Sequence, residues 1–290
     1  MFGSHGFVGS HFWDRHWSSM SGNPNYTKGR RNTRSDYQVY TPDVLYFIST
    51  VHNYNIFESS HIDIDTNLTT LMTVLDNWHA VIKKDDQNTG SVSRGVFNFI
   101  SSWFVYGDTS DPHNVKETDP CEPKGFYSIT KRCAEQLIKS YCETFGLNYR
   151  ILRLANVVGP GDQKISKQKN ALQFLINQLK DNQPIEIYGD GTFYRDYIHV
   201  KDCADAINLV INKGNINDIY NIGNGKTWKF RDILYYARRE LNSHSVMSFV
   251  EPKPFHQSVQ VKSFYMDNSK LISLGYKPNY INEELYKSLL

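Results

Sequence analysis

Apolar positions along this chain fall into two rhythms. Val44-Leu45-Tyr46-Phe47-Ile48, Phe97-Asn98-Phe99-Ile100 and Tyr149-Arg150-Ile151-Leu152-Arg153-Leu154 are short, nearly continuous apolar runs. Runs of that length read as buried strands. The first closes on Ser49-Thr50 and the second on Ser101-Ser102. Elsewhere the period lengthens to that of a helix. Leu68, Leu71, Met72 and Leu75 follow Asp65-Thr66-Asn67 at helical spacing, and Ala171 to Leu179 is amphipathic. Ile185 to Tyr188 reads as a strand running into the turn Gly189-Asp190-Gly191. Lys83 to Arg94 is polar and is expected to be a mobile loop.

Gly3-Ser4-His5-Gly6-Phe7-Val8-Gly9 reads as a glycine loop entering a helix from Ser10. Glycines let the backbone turn tightly and approach a pyrophosphate, which then sits on the helix N-terminus. The plainer reading is a glycine-rich tail. Only Met1 and Phe2 precede Gly3, so the strand expected before the loop is very short, or the natural chain begins upstream. Asn25 to Arg31 is expected to be a poor second strand. An acid that holds a ribose 2′-hydroxyl usually stands about 20 residues past such glycines. Arg30-Arg31 stand there instead. They suit the 2′-phosphate of NADP or are surface arginines, and both readings stay open beside NAD.

The chemistry concentrates between Phe97 and Lys131. A proline-bearing loop follows Ser102 and leads to a helix with Tyr127 and Lys131 four residues apart, on one face. That spacing alone is common by chance and also describes an ordinary solvated face. A neighbouring ammonium is expected to pull the phenol below its free pKa of about 10. Tyr127 would then move a proton to and from a sugar hydroxyl, with Ser102 hydrogen-bonding the same oxygen. This suits hydride chemistry at a carbinol beside a nicotinamide.

The bulk properties narrow the class. The chain has 290 residues, enough for one large or two intimately packed domains. A net charge of +2 implies neither a nucleic-acid nor a membrane surface. Cys121, Cys133, Cys142 and Cys203 lack metal spacing and read as reduced thiols, which points to the cytoplasm; no metal site is expected. No apolar run nears the ~18 residues of a membrane span, and no signal peptide or internal repeat is visible.

Taken together, these motifs resemble the extended short-chain dehydrogenase/reductase family, in its nucleotide-sugar epimerase and dehydratase branch. The likeness runs from Gly6-Phe7-Val8-Gly9-Ser10 through Val105-Tyr106-Gly107 and Tyr127-Ser128-Ile129-Thr130-Lys131. It continues through Arg153-Leu154-Ala155-Asn156-Val157-Val158-Gly159-Pro160, Arg195-Asp196-Tyr197-Ile198-His199-Val200-Lys201-Asp202 and Tyr220-Asn221-Ile222-Gly223-Asn224-Gly225. Leu274-Gly275-Tyr276-Lys277-Pro278 fits the family's tail. The resemblance implies an α/β fold: a Rossmann-like doubly wound parallel sheet, its first strand short or truncated, with a smaller C-terminal α/β substrate domain. Residues 1–155 would bind the dinucleotide and 156–290 the substrate, with segments near 195–212 and 218–223 interleaved with the first domain.

The resemblance also assigns roles. Ser102, Tyr127 and Lys131 would be catalytic. Gly3, Gly6, Phe7, Val8, Gly9, Arg30, Arg31, Ser49, Thr50, Tyr127 and Lys131 would hold NAD, with NADP possible. Asn156 and Arg195 would meet the diphosphate of a nucleotide-diphosphate sugar, Arg195 by a forked, charge-assisted contact. Asn67 would brace the active-site strand, and Asp196 and Asp202 would brace structure and cap the following helix. Helices starting near Asn67 and Tyr127 would pair two subunits as a homodimer. The family's second phosphate-binding arginine is missing; Glu251 to His256 stands in its place.

Trp103-Phe104 follow Ser102 where the 4,6-dehydratases carry carboxylates. Neither can shuttle a proton, which argues against dehydration. A C4 epimerase using bound NAD leads. An NADPH-dependent 4-ketoreductase and a catalytically silent cofactor-binding scaffold are the alternatives.

Overall fold

The computed structural model describes residues 1–18, 37–89, 95–109, 113–163 and 165–290. Its main sheet joins β1 (Val44–Tyr46), β2 (Val96–Ser102), β4 (Asn148–Leu154) and β8 (Asp218–Ile222) in the order β1-β2-β4-β8, every pair parallel. These are the continuous apolar runs, as a sheet covered on both faces requires. Phe2 adds a single parallel bridge outside β1: its N–H donates to the Leu45 carbonyl at 2.9 Å and its carbonyl accepts from Phe47 N–H at 2.9 Å. The strand before the glycine loop is thus one residue of pairing. The second strand expected at Asn25 to Arg31 lies outside the described residues.

Side chains alternate across the sheet. Val44, Tyr46, Phe97, Phe99 and Ile151 pack under α3 (Thr70–Thr89) and α4 (Phe126–Phe145), against Leu71, Leu75, Trp78 and Ile138. Leu45, Ile100, Leu152 and Ile222 face the other way, against Phe12 of α1 (Phe7–Phe12) and Ile207 and Val210 of α6 (Val200–Lys213). Helices on both faces make the sheet doubly wound.

Two expectations are corrected here. The helix expected at Asp65 starts a turn earlier, as α2 (Ile62–Ile64), and passes through a wider π-type turn at Asp65–Thr69 into α3. The polar run from Lys83 continues α3 as far as Thr89 rather than looping. Trp78 and Ile82, buried on the inner face, hold that helix down, and lysine and glutamine are good helix formers on its outer face. Residues 90–94 lie outside the described chain.

Beyond β5 (Asn156–Val158) the chain builds a second core. β5 pairs with β7 (Tyr197–His199), and β6 (Ile185–Tyr188) pairs with β9 (Met247–Val250), both parallel. Leu175 and Ile176 of α5 (Ala171–Lys180), Ile233 and Leu234 of α7 (Phe230–Glu240) and Leu285 of α10 (Glu283–Lys287) close on Ile185 and Ile187. Between them the chain returns twice to the main sheet, as α6 and as β8. β3 (His113–Val115) pairs with β10 (Tyr265–Met266) beside this junction. The short helices α8 (Pro254–Val259) and α9 (Ser269–Ser273) complete the C-terminal part.

One buried ion pair ties the catalytic strand to its helix. The Glu135 carboxylate on α4 is fully buried and accepts from Arg153 Nη2 at 2.7 Å, Arg153 Nε at 3.0 Å, Arg132 Nη1 at 2.8 Å and Ser101 Oγ at 2.6 Å. Arg153 sits on β4 and stacks over Tyr106 at 4.6 Å. These contacts hold Glu135 below the usual carboxylate range despite its burial. Removing Glu135 leaves the Arg153 charge buried without a counterion, which costs about 3–5 kcal/mol; removing Arg153 leaves Glu135 with Arg132 and Ser101 and costs up to that much. Urea denaturation of Glu135→Leu or Arg153→Met should show a loss of that order. The double variant should be less destabilised than the sum of the singles, and strict additivity would contradict the pairing.

Candidate active site

Each catalytic candidate is placed by a different element. β2 delivers Ser102 in extended backbone at its C-terminal end, and the Ser102 hydroxyl accepts from Phe104 N–H at 3.4 Å, capping the turn Trp103–Val105. Gly125 precedes α4 at φ +79°, and a Cβ there would lie 2.5 Å from Asn53 Oδ1. Asn53 itself reaches Ser128: Nδ2 donates to Ser128 Oγ at 3.1 Å and Oδ1 accepts from Ser128 N–H at 3.3 Å. The first turn of α4, and Tyr127 with it, is therefore pinned to the segment after β1.

This brings Ser102, Tyr127 and Lys131 together, all buried. The Ser102 hydroxyl lies close enough to the Tyr127 phenol to favour its ionised form. Lys131 Nζ donates to the Ile100 carbonyl at 2.5 Å and lies 4.4 Å over the Phe99 ring. The electrostatics correct the expectation of an acidified phenol. Burial pushes Tyr127 up to about 12; the nearby Ser102 hydroxyl opposes this, and Asp63 adds to it. Burial likewise pushes Lys131 down to about 7, with Glu135 opposing. Desolvation outweighs the four-residue spacing, because the ammonium is itself half lost and points at the back of β2.

Ser49 and Thr50 are held by Asn67. Its Oδ1 accepts from Ser49 Oγ at 3.1 Å and Thr50 N–H at 2.9 Å, and its Nδ2 donates to Thr50 Oγ1 at 2.8 Å and Thr130 Oγ1 at 2.9 Å. Thus Asn67 links the end of β1 to α4. Asp63, buried one turn before Asn67, accepts from Thr50 Oγ1 and, at 3.0 Å, from Asn55 Nδ2. Sequence reasoning missed Asp63, Asn53 and Glu135. Only the i,i+4 spacing of Asp63 with Asn67 hinted that they share a helical face.

The glycine loop forms a cradle. Gly3 takes φ +81°, and a Cβ there would stand 2.9 Å from Phe47 Cβ. A Cβ on Gly9 would be 2.3 Å from the Gly3 carbonyl, so α1 packs onto the loop only because Gly9 lacks one. Around Gly6 the nearest atom to such a Cβ is the loop's own Gly3 carbonyl at 3.4 Å, which leaves that side open for a ligand's approach. Hydrogen bonds from Gly6 N–H to Gly3 O at 3.1 Å and Ser10 N–H to Gly6 O at 2.8 Å start the helix at Phe7, ahead of the expected Ser10. Phe7 stacks edge-on to His11 at 5.5 Å, and Val8 packs on the core. The cradle fits a dinucleotide pyrophosphate. Arg30 and Arg31 lie outside the described residues.

On the substrate side, Asn156 Nδ2 donates to the Asp196 carbonyl at 3.0 Å. Arg195 stacks over Phe193 at 4.6 Å and Trp103 at 5.6 Å, and donates to the carbonyls of Tyr194 at 2.8 Å, Lys262 at 3.0 Å and Val261 at 2.5 Å. Those bonds engage both N–H groups of Nη1 and one of Nη2. Burial lowers its pKa to about 10. Asp196 braces the neighbouring turn by accepting from the backbone N–H of Asn224, Gly225 and Met266. Asp202 does not cap α6 as expected. His199 Nδ1 accepts from Lys201 N–H at 3.3 Å at that position, while Asp202 fastens Asn279 and Tyr280.

The profile of the NAD dependent epimerase/dehydratase family matches residues 38–223. A trifunctional UDP-glucose 4,6-dehydratase/UDP-4-keto-6-deoxy-D-glucose 3,5-epimerase/UDP-4-keto-L-rhamnose-reductase of Arabidopsis thaliana is 30% identical over 192 residues. The match covers 65% of this chain but only 27% of that relative. A dTDP-glucose 4,6-dehydratase of Xanthomonas campestris pv. campestris is 27% identical over 265 residues, 85% of this chain and 71% of that one. The UDP-glucose 4-epimerase of Thermotoga maritima, solved with UDP-glucose, superposes with a TM-score of 0.82 at 21% identity, covering 99% of this chain and 96% of that one. At that identity the likeness is one of fold.

The lowered pKa of Lys131 makes stability depend on pH. Between about 7 and the usual lysine value of 10.5 the unfolded chain binds a proton that the folded chain does not. Stability from this group therefore rises with pH across that window and is at its lowest, and level, below about 7. Urea midpoints of the ligand-free protein should rise less between pH 7 and 10 in Lys131→Met than in the wild type; parallel curves would contradict the burial of a charge here.

Proposed function

The chain belongs to the NAD dependent epimerase/dehydratase family, and we propose that within it this protein is a nucleotide-diphosphate-sugar C4 epimerase. The observation that carries this reading is the end of β2. Ser102 lies beside the Tyr127 phenol there, and the next two residues, Trp103 and Phe104, cannot shuttle a proton. Elimination of water needs a second acid–base pair along the sugar; oxidation and reduction at one carbon need a single one. The Phe104 ring stands edge-on to Tyr127 at 6.0 Å and walls that side of the phenol.

In this reading Tyr127 takes the proton of the sugar 4-hydroxyl and later returns it, while Ser102 holds the same oxygen. Bound NAD supplies what these side chains lack: a hydride acceptor and donor, and a positive ring charge beside a phenol that burial keeps protonated. Gly3, Gly6, Phe7, Val8 and Gly9 would hold its pyrophosphate, with Ser49, Thr50 and Lys131 along the rest. Asn156 and Arg195 would take the substrate's diphosphate, Arg195 through the N–H groups that the 261–262 carbonyls leave over. Residues 1–155 would thus serve the cofactor and 156–290 the substrate. Exposed Ile129 and Phe145 on α4, together with Ile64, favour a homodimer through α3 and α4.

Purified protein incubated with UDP- and dTDP-hexoses, without added cofactor, should interconvert a pair of C4 epimers. Tyr127→Phe should lower kcat by about 10²–10⁴-fold with little change in the melting temperature. No interconversion of the hexoses, with a 4-keto nucleotide sugar reduced at the expense of one NADPH per turnover, would make the protein a ketoreductase instead. Full activity in Tyr127→Phe would remove the phenol from the chemistry.

A further inference from the structure

The two halves of the molecule meet beside Tyr127 through a thin bridge. From the main-sheet side come Tyr54 and Phe57, in the turn Asn53–Phe57 whose first residue pins the start of α4. From the other side comes α8. The Tyr54 hydroxyl lies 2.7 Å from His256 Nδ1. The Phe255 ring stands edge-on to Tyr54 at 5.2 Å and to Phe57 at 4.6 Å. Phe57 nonetheless stays 70% exposed, so little apolar surface is gained by this contact.

The other end of the same segment is held far more firmly. Val259 and Val261 are buried. Arg195 donates to the carbonyls of Val261 and Lys262, and Lys262 N–H donates to Asp108 Oδ1 at 2.9 Å. Ser263 Oγ accepts from Tyr194 N–H at 3.0 Å. A segment with a charge-assisted anchor beside two buried valines at one end, and one neutral hydrogen bond with half-buried rings, His256 resting on Tyr188 at 4.6 Å among them, at the other has an obvious place to open.

Its position gives that opening a purpose. The bridge runs from the neighbourhood of Tyr127 to that of Arg195, the residues that the proposed reading assigns to the sugar hydroxyl and the diphosphate. A ligand reaching both lies along the same line. We propose that residues 253–258 form a strap over the substrate cleft, latched by Tyr54 to His256 and pivoting at residues 259–261, which lifts to admit and release a nucleoside diphosphate. The ligand half of this proposal rests on the function above; the latch and pivot do not. His256 has a lowered pKa of about 4, because of burial and then Arg195 and Lys167, which keeps its ring neutral and fit to accept the Tyr54 proton.

Hydrogen exchange of the ligand-free protein tests the latch directly. Gln257 N–H and Gln260 N–H bond within α8, so their exchange reports its release. In Tyr54→Phe these amides should exchange at least about threefold faster, with β2 and α4 unchanged. Stopped-flow mixing with UDP should show association faster by a similar factor in Tyr54→Phe and in Phe57→Ala. Exchange in α8 equal to wild type, or UDP association unchanged in both variants, would overturn the strap. Failure of UDP to bind the wild type would count against the proposed substrate class and leave exchange as the measure that decides the latch.

Discussion

A carboxylate without water must be surrounded by donors, and Glu135 is the point on which the site depends. Its four bonds come from β2, β4 and α4, so three elements can meet in only one register. Ser101, bonded to it, is the neighbour of Ser102. Lys131 stands one helical turn before it, on the same face of α4. The distance between the serine at the strand end and the phenol at the helix start is thus set from behind, by a contact that touches no substrate.

Burial of this kind has an electrostatic consequence. It raises the phenol and lowers the ammonium, the reverse of a pair poised to ionise in the free protein. The site is ordered but poor in positive charge. Ordering the groups beforehand removes that cost from the reaction, and a positive charge bound beside the phenol would lower its pKa. Asn53 and Asn67 serve the same end by fixing α4 to the segment after β1.

The glycine cradle and the substrate side differ in how firmly they are built. Around Gly3 and Gly9 the backbone is packed too closely to accept any side chain. Around Arg195 a guanidinium is stacked on two rings and shared with the carbonyls of the segment that follows α8. Relatives that carry out dehydration and epimerisation share this framework with the present chain at 27–30% identity or less. In the proposed reading what distinguishes the chemistry is local, the aromatic pair after Ser102.

Much of this was legible beforehand. The apolar runs at Val44, Phe97 and Tyr149 form adjacent parallel strands, and the motifs containing Ser102, Tyr127 and Lys131 converge, because period and spacing are properties of the chain itself. The extent of α3 was not legible, since a polar run can be a loop or the outer turns of a helix whose inner face is buried. Nor were Asp63, Asn53 and Glu135, whose partners lie as far as 75 residues away. Sequence alone determined which groups are present and in what order the strands and helices arise. Only the tertiary structure decided their charge, because a pKa answers to how much water is excluded around the group, and that exclusion is made by residues distant in the chain.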